Sequence, residues 1–165
     1  MPTTYEPIQS YTLGSAASSI TFSSIGSGYT DLRIVFTGTS SSVPASYFMQ
    51  YNGDTATNYS QTDILGDGSA ASSNRRTGQT VIYLYQTVLS PTIPHLTTID
   101  IFSYAGSTFK TCLINGSEDE NGSGTTFSRV ALWRSTAAIT QVSVLKLSGT
   151  FNTGTTATLY GIKNF

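Results

Sequence analysis

An all-β fold is the class that this sequence predicts, and three observations lead to it. Apolar and polar residues alternate with a period near two along most of the 165 residues. Clusters of Gly, Asn, Asp, Ser and Pro break that alternation at short intervals. Serine (24), threonine (27), tyrosine (10) and phenylalanine (8) dominate the composition, and threonine and the aromatics suit half-buried pleated surfaces. Helical evidence is thin: Ser135-Thr136-Ala137-Ala138-Ile139 is one turn at most.

The elements follow in chain order. Met1–Pro7 holds two prolines and no apolar periodicity, so it reads as an extended N-terminal arm, either frayed or tied onto a neighbouring subunit through Tyr5. Ile8–Leu13 is the first candidate strand and Ser18–Phe22, with Ile20 and Phe22 on one face, is the second. Asp31–Thr37 sets Leu32, Ile34 and Phe36 against Arg33, Val35 and Thr37. Tyr47–Tyr51 alternates Tyr47, Met49 and Tyr51 with Phe48 and Gln50, and it ends at the turn signal Asn52-Gly53-Asp54. Thr80–Val88, Leu96–Tyr104, Thr108–Ile114, Phe127–Arg134, Thr140–Leu147 and Thr155–Ile162 complete the set. Nine or ten strand candidates at this spacing argue an all-β sandwich or barrel, and two sheets packed face to face as a jelly roll with extra edge strands is the favoured arrangement. The expected organisation is therefore an arm over 1–7 and a single jelly-roll-like β domain over 8–165.

Two segments interrupt the pattern and read as loops. The longer includes Gly66–Gly78 and carries the adjacent arginines Arg75 and Arg76. Loops of that length are uncommon in compact domains, and a planar guanidinium suits carboxylates, sugar hydroxyls or backbone carbonyls on a partner. It is a solvated tip or a contact loop. The other, Asn115–Gly124, contains Glu118-Asp119-Glu120. Three neighbouring acids offer oxygen ligands for Ca²⁺, but the spacing lacks the EF-hand pattern and adjacent residues cannot all face one ion.

Composition excludes several function classes. Eight Lys+Arg against nine Asp+Glu leave a net charge of −1, without the basic surface that phosphate neutralisation by a nucleic-acid binder needs. No apolar run approaches a membrane span, and the start shows no basic segment with an apolar core, so no signal peptide and no membrane partner are expected. Cys112 is the sole cysteine, so no internal disulfide is possible, and its alternating surroundings make it a buried, inert thiol. His95 is the sole histidine and reads as a strand-entry residue rather than a catalyst. No Gly-x-Ser-x-Gly elbow, zinc spacing or phosphate loop is present. Asp54, Asp63, Asp67 and Asp100 could in principle meet as a glycosidase pair, yet acids spread over turns are also what a solvated surface shows. No enzyme activity and no cofactor or metal are expected. Trp133 reads as core, or otherwise as a sugar-stacking or interface platform together with Tyr59, Tyr83 and Tyr85.

A resemblance goes further than these patterns. Pro2-Thr3-Thr4-Tyr5-Glu6-Pro7-Ile8, Ile20-Thr21-Phe22-Ser23-Ser24-Ile25, Tyr29-Thr30-Asp31-Leu32, Tyr51-Asn52-Gly53-Asp54, Asn58-Tyr59-Ser60, Leu132–Ile139, Phe151-Asn152 and Leu159-Tyr160-Gly161-Ile162-Lys163 follow one another along nearly the whole chain. In this order they resemble a group of small β-rich virion proteins of tailed bacteriophages. The resemblance implies a decoration (cement) protein, made in the host cytoplasm, that binds the major capsid protein on the outer surface of the capsid. Copies at shell symmetry points would form a homo-oligomer, a trimer in preference to a dimer. The contacts expected on this reading are Pro2, Tyr5 and Pro7 of the arm, with Arg75 and Arg76. The alternative is a tail-fibre or tailspike-associated module that binds host surface glycan.

Overall fold

The computed structural model describes residues 4–41, 46–85 and 90–163, the side chain of Tyr85 excepted. Among them lie twelve strands and no helix: β1 (Tyr5–Thr12), β2 (Ser19–Phe22), β3 (Asp31–Gly38), β4 (Tyr47–Tyr51), β5 (Tyr59–Gly66), β6 (Ala71–Gln79), β7 (Ile82–Tyr85), β8 (His95–Phe102), β9 (Lys110–Asp119), β10 (Gly124–Trp133), β11 (Val142–Lys146) and β12 (Thr156–Ile162). They form an eight-stranded sheet, β1-β12-β3-β8-β9-β10-β5-β6, and a four-stranded sheet, β2-β11-β4-β7. Every ladder is antiparallel.

Alternation dictates how the sheets meet. An antiparallel sheet can bury one face and solvate the other, and its strands then alternate between the two environments. β3 and β9 do so along their whole length. The inward residues of the large sheet include Leu32, Ile34 and Phe36, Ile99 and Ile101, Cys112 and Ile114, and Ala131 and Trp133; they share one buried cluster with Tyr47, Met49, Tyr51, Val142 and Val144 of the small sheet. Aromatic contacts tie the layers together. Phe36 stacks on Tyr47 with centroids 5.2 Å apart, and Tyr51 lies 5.5 Å from Trp133. Such pairs contribute roughly 0.5–1.5 kcal/mol each beyond the area they bury. The fold is an all-β, two-sheet sandwich.

Three expectations change. The arm over 1–7 is not a free extension where it is described: Tyr5, Glu6 and Pro7 pair with Ile162, Gly161 and Tyr160 as the start of β1. Proline is tolerated because β1 is an edge strand and the register shifts between Pro7 and Gln9. Pro2 lies outside the described residues. The supposed loop over 66–78 is mostly the edge strand β6, joined to β5 by a short turn in which Asp67 Oδ1 accepts hydrogen bonds from the Ser69 N–H, the Ser69 hydroxyl and the Ala70 N–H. Those bonds hold the Asp67 carboxyl down at about 2. Likewise, the segment 115–124 is largely strand, with β9 and β10 in continuous register from Lys110–Trp133 to Asp119–Gly124.

Candidate partner-docking face

The small sheet covers one face of the large sheet, and the opposite face carries the exposed side chains of its strands. Strand register reads that outer face as rungs. One runs Val35, Thr98, Asn115, Ser128, Ile64, Ser73 across β3-β8-β9-β10-β5-β6. On one side of it lies Thr37, Leu96, Ser117, Thr126, Gly66, Ala71, and on the other Arg33, Asp100, Leu113, Val130, Thr62, Arg75. Two of these three rungs hold no charged residue. Within this field of hydroxyls sit large apolar side chains with no cover: Ile64 is 64% exposed, Val130 47%, Leu96 43% and Leu113 37%. Leu113 and Val130 stand directly opposite each other, so their side chains form a cross-strand pair.

The face carries open depressions. A depression of about 500 Å³ is lined by Ile64, Leu96, Thr98, Asn115, Thr126 and Ser128, among others. It continues through Gly66, Leu96, Ser117 and Thr126 into one of about 970 Å³, bounded by the β5–β6 turn, the β9–β10 turn and Ile93-Pro94. A third, of about 350 Å³, lies beside Thr62, Arg75 and Val130. Charge is placed at the margins. Asp67, Asp119 and Glu120 are exposed on or beside the hairpin turns. In the charged rung, Arg33 is neutralised by Asp100 at 3.0 Å.

The residues beneath this face are polar in an unusual way. Arg129, 2% exposed, meets Asp63 at 3.4 Å and donates to the Tyr83 carbonyl. Gln61 Oε1 accepts the Tyr83 N–H at 2.9 Å. Near the opposite end, His95 lies 3.6 Å from Glu118 and shares a 2.8 Å hydrogen bond with Thr97, while Glu118 Oε1 accepts the Ser90 N–H at 2.9 Å. Burial pushes the His95 imidazole down to about 4, because a charged ring is poorly solvated there. These groups brace the large sheet from inside and leave its outer surface nearly neutral.

The sequence-predicted site residues are distributed as follows. Arg75 and Arg76 separate, because neighbours on a strand point to opposite faces. Arg75 is exposed, with Nε 3.3 Å from the Thr62 hydroxyl, whereas Arg76 is half-buried and lies over the Tyr83 ring at 4.9 Å. Tyr5 folds back onto its own sheet, edge-on to Tyr160 at 6.4 Å and accepting a hydrogen bond from Arg33. Pro7 stands opposite Tyr160. The sugar-platform candidates Tyr59 and Trp133 are buried, the Trp133 N–H donating to Asp54 at 2.7 Å; the Tyr85 side chain lies outside the described residues. Each of the four suspect aspartates has its own partner: Asp54 takes Trp133 and Asn58, Asp63 Arg129, Asp67 its turn and Asp100 Arg33. Among the described residues no three His, Cys, Asp or Glu side chains gather as a metal site would require. Comparison with known proteins finds no matching family model, no matching curated protein and no matching solved structure.

Sequence reasoning missed Ile64, Leu96, Leu113 and Val130 as surface residues. The available signal was Val130 alternating with Ala131 and Trp133, and Leu113 with Cys112 and Ile114: both faces of these strands are apolar, and just one can be covered by the second sheet.

Proposed function

We propose that this protein is a capsid decoration (cement) protein of a tailed bacteriophage, binding the major capsid protein on the outer surface of the shell. The observation that carries the docking part of this reading is the exposed cross-strand pair Leu113 and Val130, with Ile64 on the next rung and Leu96 further along the same uncovered, nearly neutral sheet face. Apolar residues set in a polar rim are the composition of a protein-contact patch. A sheet already ordered by its ladders loses little further entropy on docking. The phage context rests on the likeness of the chain's landmark segments to small β-rich virion proteins. Strand order adds support. The small sheet β2-β11-β4-β7 and the run β3…β10-β5-β6 follow the wiring of a jelly roll into which the β8–β9 hairpin is inserted, with β1 and β12 added at one edge.

Bridging neighbouring shell subunits makes their separation cost additional contacts, which is how such a protein resists internal pressure. A trimer at a shell symmetry point is the assembly we favour over a dimer. The glycan-binding tail module is the weaker reading, because the buried rings of Tyr59 and Trp133 are unavailable for stacking on sugar. The test uses heads purified without this protein. Native protein is expected to bind them, while Val130→Asp and Leu113→Asp, folded by circular dichroism, bind at least about tenfold more weakly, the loss of a contact contribution of about 1.4 kcal/mol or more. Undiminished binding by both variants would remove this face from the proposal.

A further inference from the structure

Asparagine followed by glycine occurs three times, at Asn52-Gly53, Asn115-Gly116 and Asn121-Gly122. Such a step is chemically labile, because no side chain shields the glycine nitrogen from the neighbouring amide carbon. Whether it reacts depends on whether the asparagine side chain can turn and the backbone can fold inward.

The fold treats the three steps differently. Asn52 is locked: its Oδ1 accepts the N–H groups of Thr140 at 2.9 Å and Gln141 at 3.0 Å, and its Nδ2 donates to the Ala138 carbonyl at 2.8 Å. Asn115-Gly116 lies mid-strand in β9, in register with β8 on one side and β10 on the other. Gly116 is also wedged against the Phe127 ring, 2.4 Å from where a Cβ would stand. Asn121-Gly122 is the exposed tip of the β9–β10 turn. Both residues have positive φ, 54° and 132°. The turn is closed by the Glu120 N–H on the Ser123 carbonyl at 2.8 Å and the Asn121 N–H on Asp119 Oδ1 at 2.9 Å. Among the described residues the Asn121 side chain has no hydrogen-bond partner.

We propose that Asn121 is a site of spontaneous self-modification. The Gly122 backbone nitrogen attacks Asn121 Cγ, a C–N bond forms, and the side-chain nitrogen leaves as ammonia carrying the proton lost by the backbone amide. Water then opens the five-membered imide, giving isoaspartate or aspartate; water is the sole co-reactant, and nothing is oxidised or reduced. The product places a new carboxylate next to Asp119 and Glu120. As isoaspartate it also adds a methylene to the main chain in a turn that borders the outer-face depression of about 970 Å³. The modification stands whether or not that face docks on a capsid.

The experiment ages the purified, folded protein at mildly alkaline pH and follows all three steps by peptide mapping with mass spectrometry, beside a sample held in denaturant. In the folded protein Asn121 should convert at least about tenfold faster than Asn52 or Asn115, since each of those must first open locally. In denaturant the three rates should converge. N121S should leave the folded protein without the early mass gain. Equal conversion of the three steps in the folded protein, a lead by Asn52 or Asn115, or an Asn121 that reacts in denaturant alone would each overturn the proposal.

Discussion

Asp63 and Arg129 bring opposite charges together beneath the large sheet, with 6% and 2% of their surfaces exposed. Breaking a buried pair is worse than never having made it, because the survivor keeps its desolvation cost without its partner. Asp63→Asn should therefore lose about 3 kcal/mol or more in urea unfolding, whereas the joint change Asp63→Leu with Arg129→Met should recover much of that loss. His95 sets a different test. Its folded value near 4 lies below the ordinary 6.5, so between those values the unfolded chain binds a proton that the folded chain refuses. Stability then rises with pH through the window from about 4 to about 6.5 and is level above it. His95→Gln should remove that slope from the pH dependence of the urea midpoint. Asp67 acts in a separate, more acidic window: its depressed carboxyl adds stability that disappears as pH falls from 3.8 toward 2. Cys112, buried and raised to about 11, should resist alkylation in the native protein and react on unfolding.

Strands whose inner face is aliphatic or aromatic were legible from alternation alone, as β3 and β4 show with Leu32, Ile34 and Phe36 or Tyr47, Met49 and Tyr51. The hairpin β5–β6 was not, for a physical reason. Its inward positions include Gln61 and Asp63, whose Oε1 and Oδ2 meet the Tyr83 N–H and Arg129, while its apolar Ile64 faces out, so the pattern is inverted. β6 offers no large apolar residue at all, and its pairing is specified by the Asp67 turn and backbone bonds. The distal half of β9 has the composition of a turn, yet Gly116 and Glu118 point inward, one beneath Phe127 and the other onto Ser90. Gly116→Ala would drive a Cβ into Phe127 and toward His95 Nε2, 2.4 and 3.2 Å away. Overpacking of that kind costs about 1–3 kcal/mol, to be read as a lowered urea midpoint with unchanged strand content.

On the scale of the whole molecule, the sandwich makes the two faces of the large sheet unequal. One is sealed by β2-β11-β4-β7, and the other keeps its apolar residues in the open. The arginine pair drew attention in the sequence because cations are scarce, but strand geometry keeps Arg75 on the outer face and turns Arg76 toward Tyr83. The sequence showed that the strands of Leu113 and Val130 are apolar on both faces, but it does not reveal which face a second sheet will cover. Substitutions on that face should leave stability within about 0.5 kcal/mol while weakening attachment to heads, separating docking from folding. The most direct measurement is electron microscopy of the intact virion with the chain placed by its sandwich. Density on the outside of the head, with Ile64, Leu96, Leu113 and Val130 turned toward the major capsid protein, is the expected result. A copy found solely in the tail, or seated on the head with that sheet face open to solvent, would contradict it.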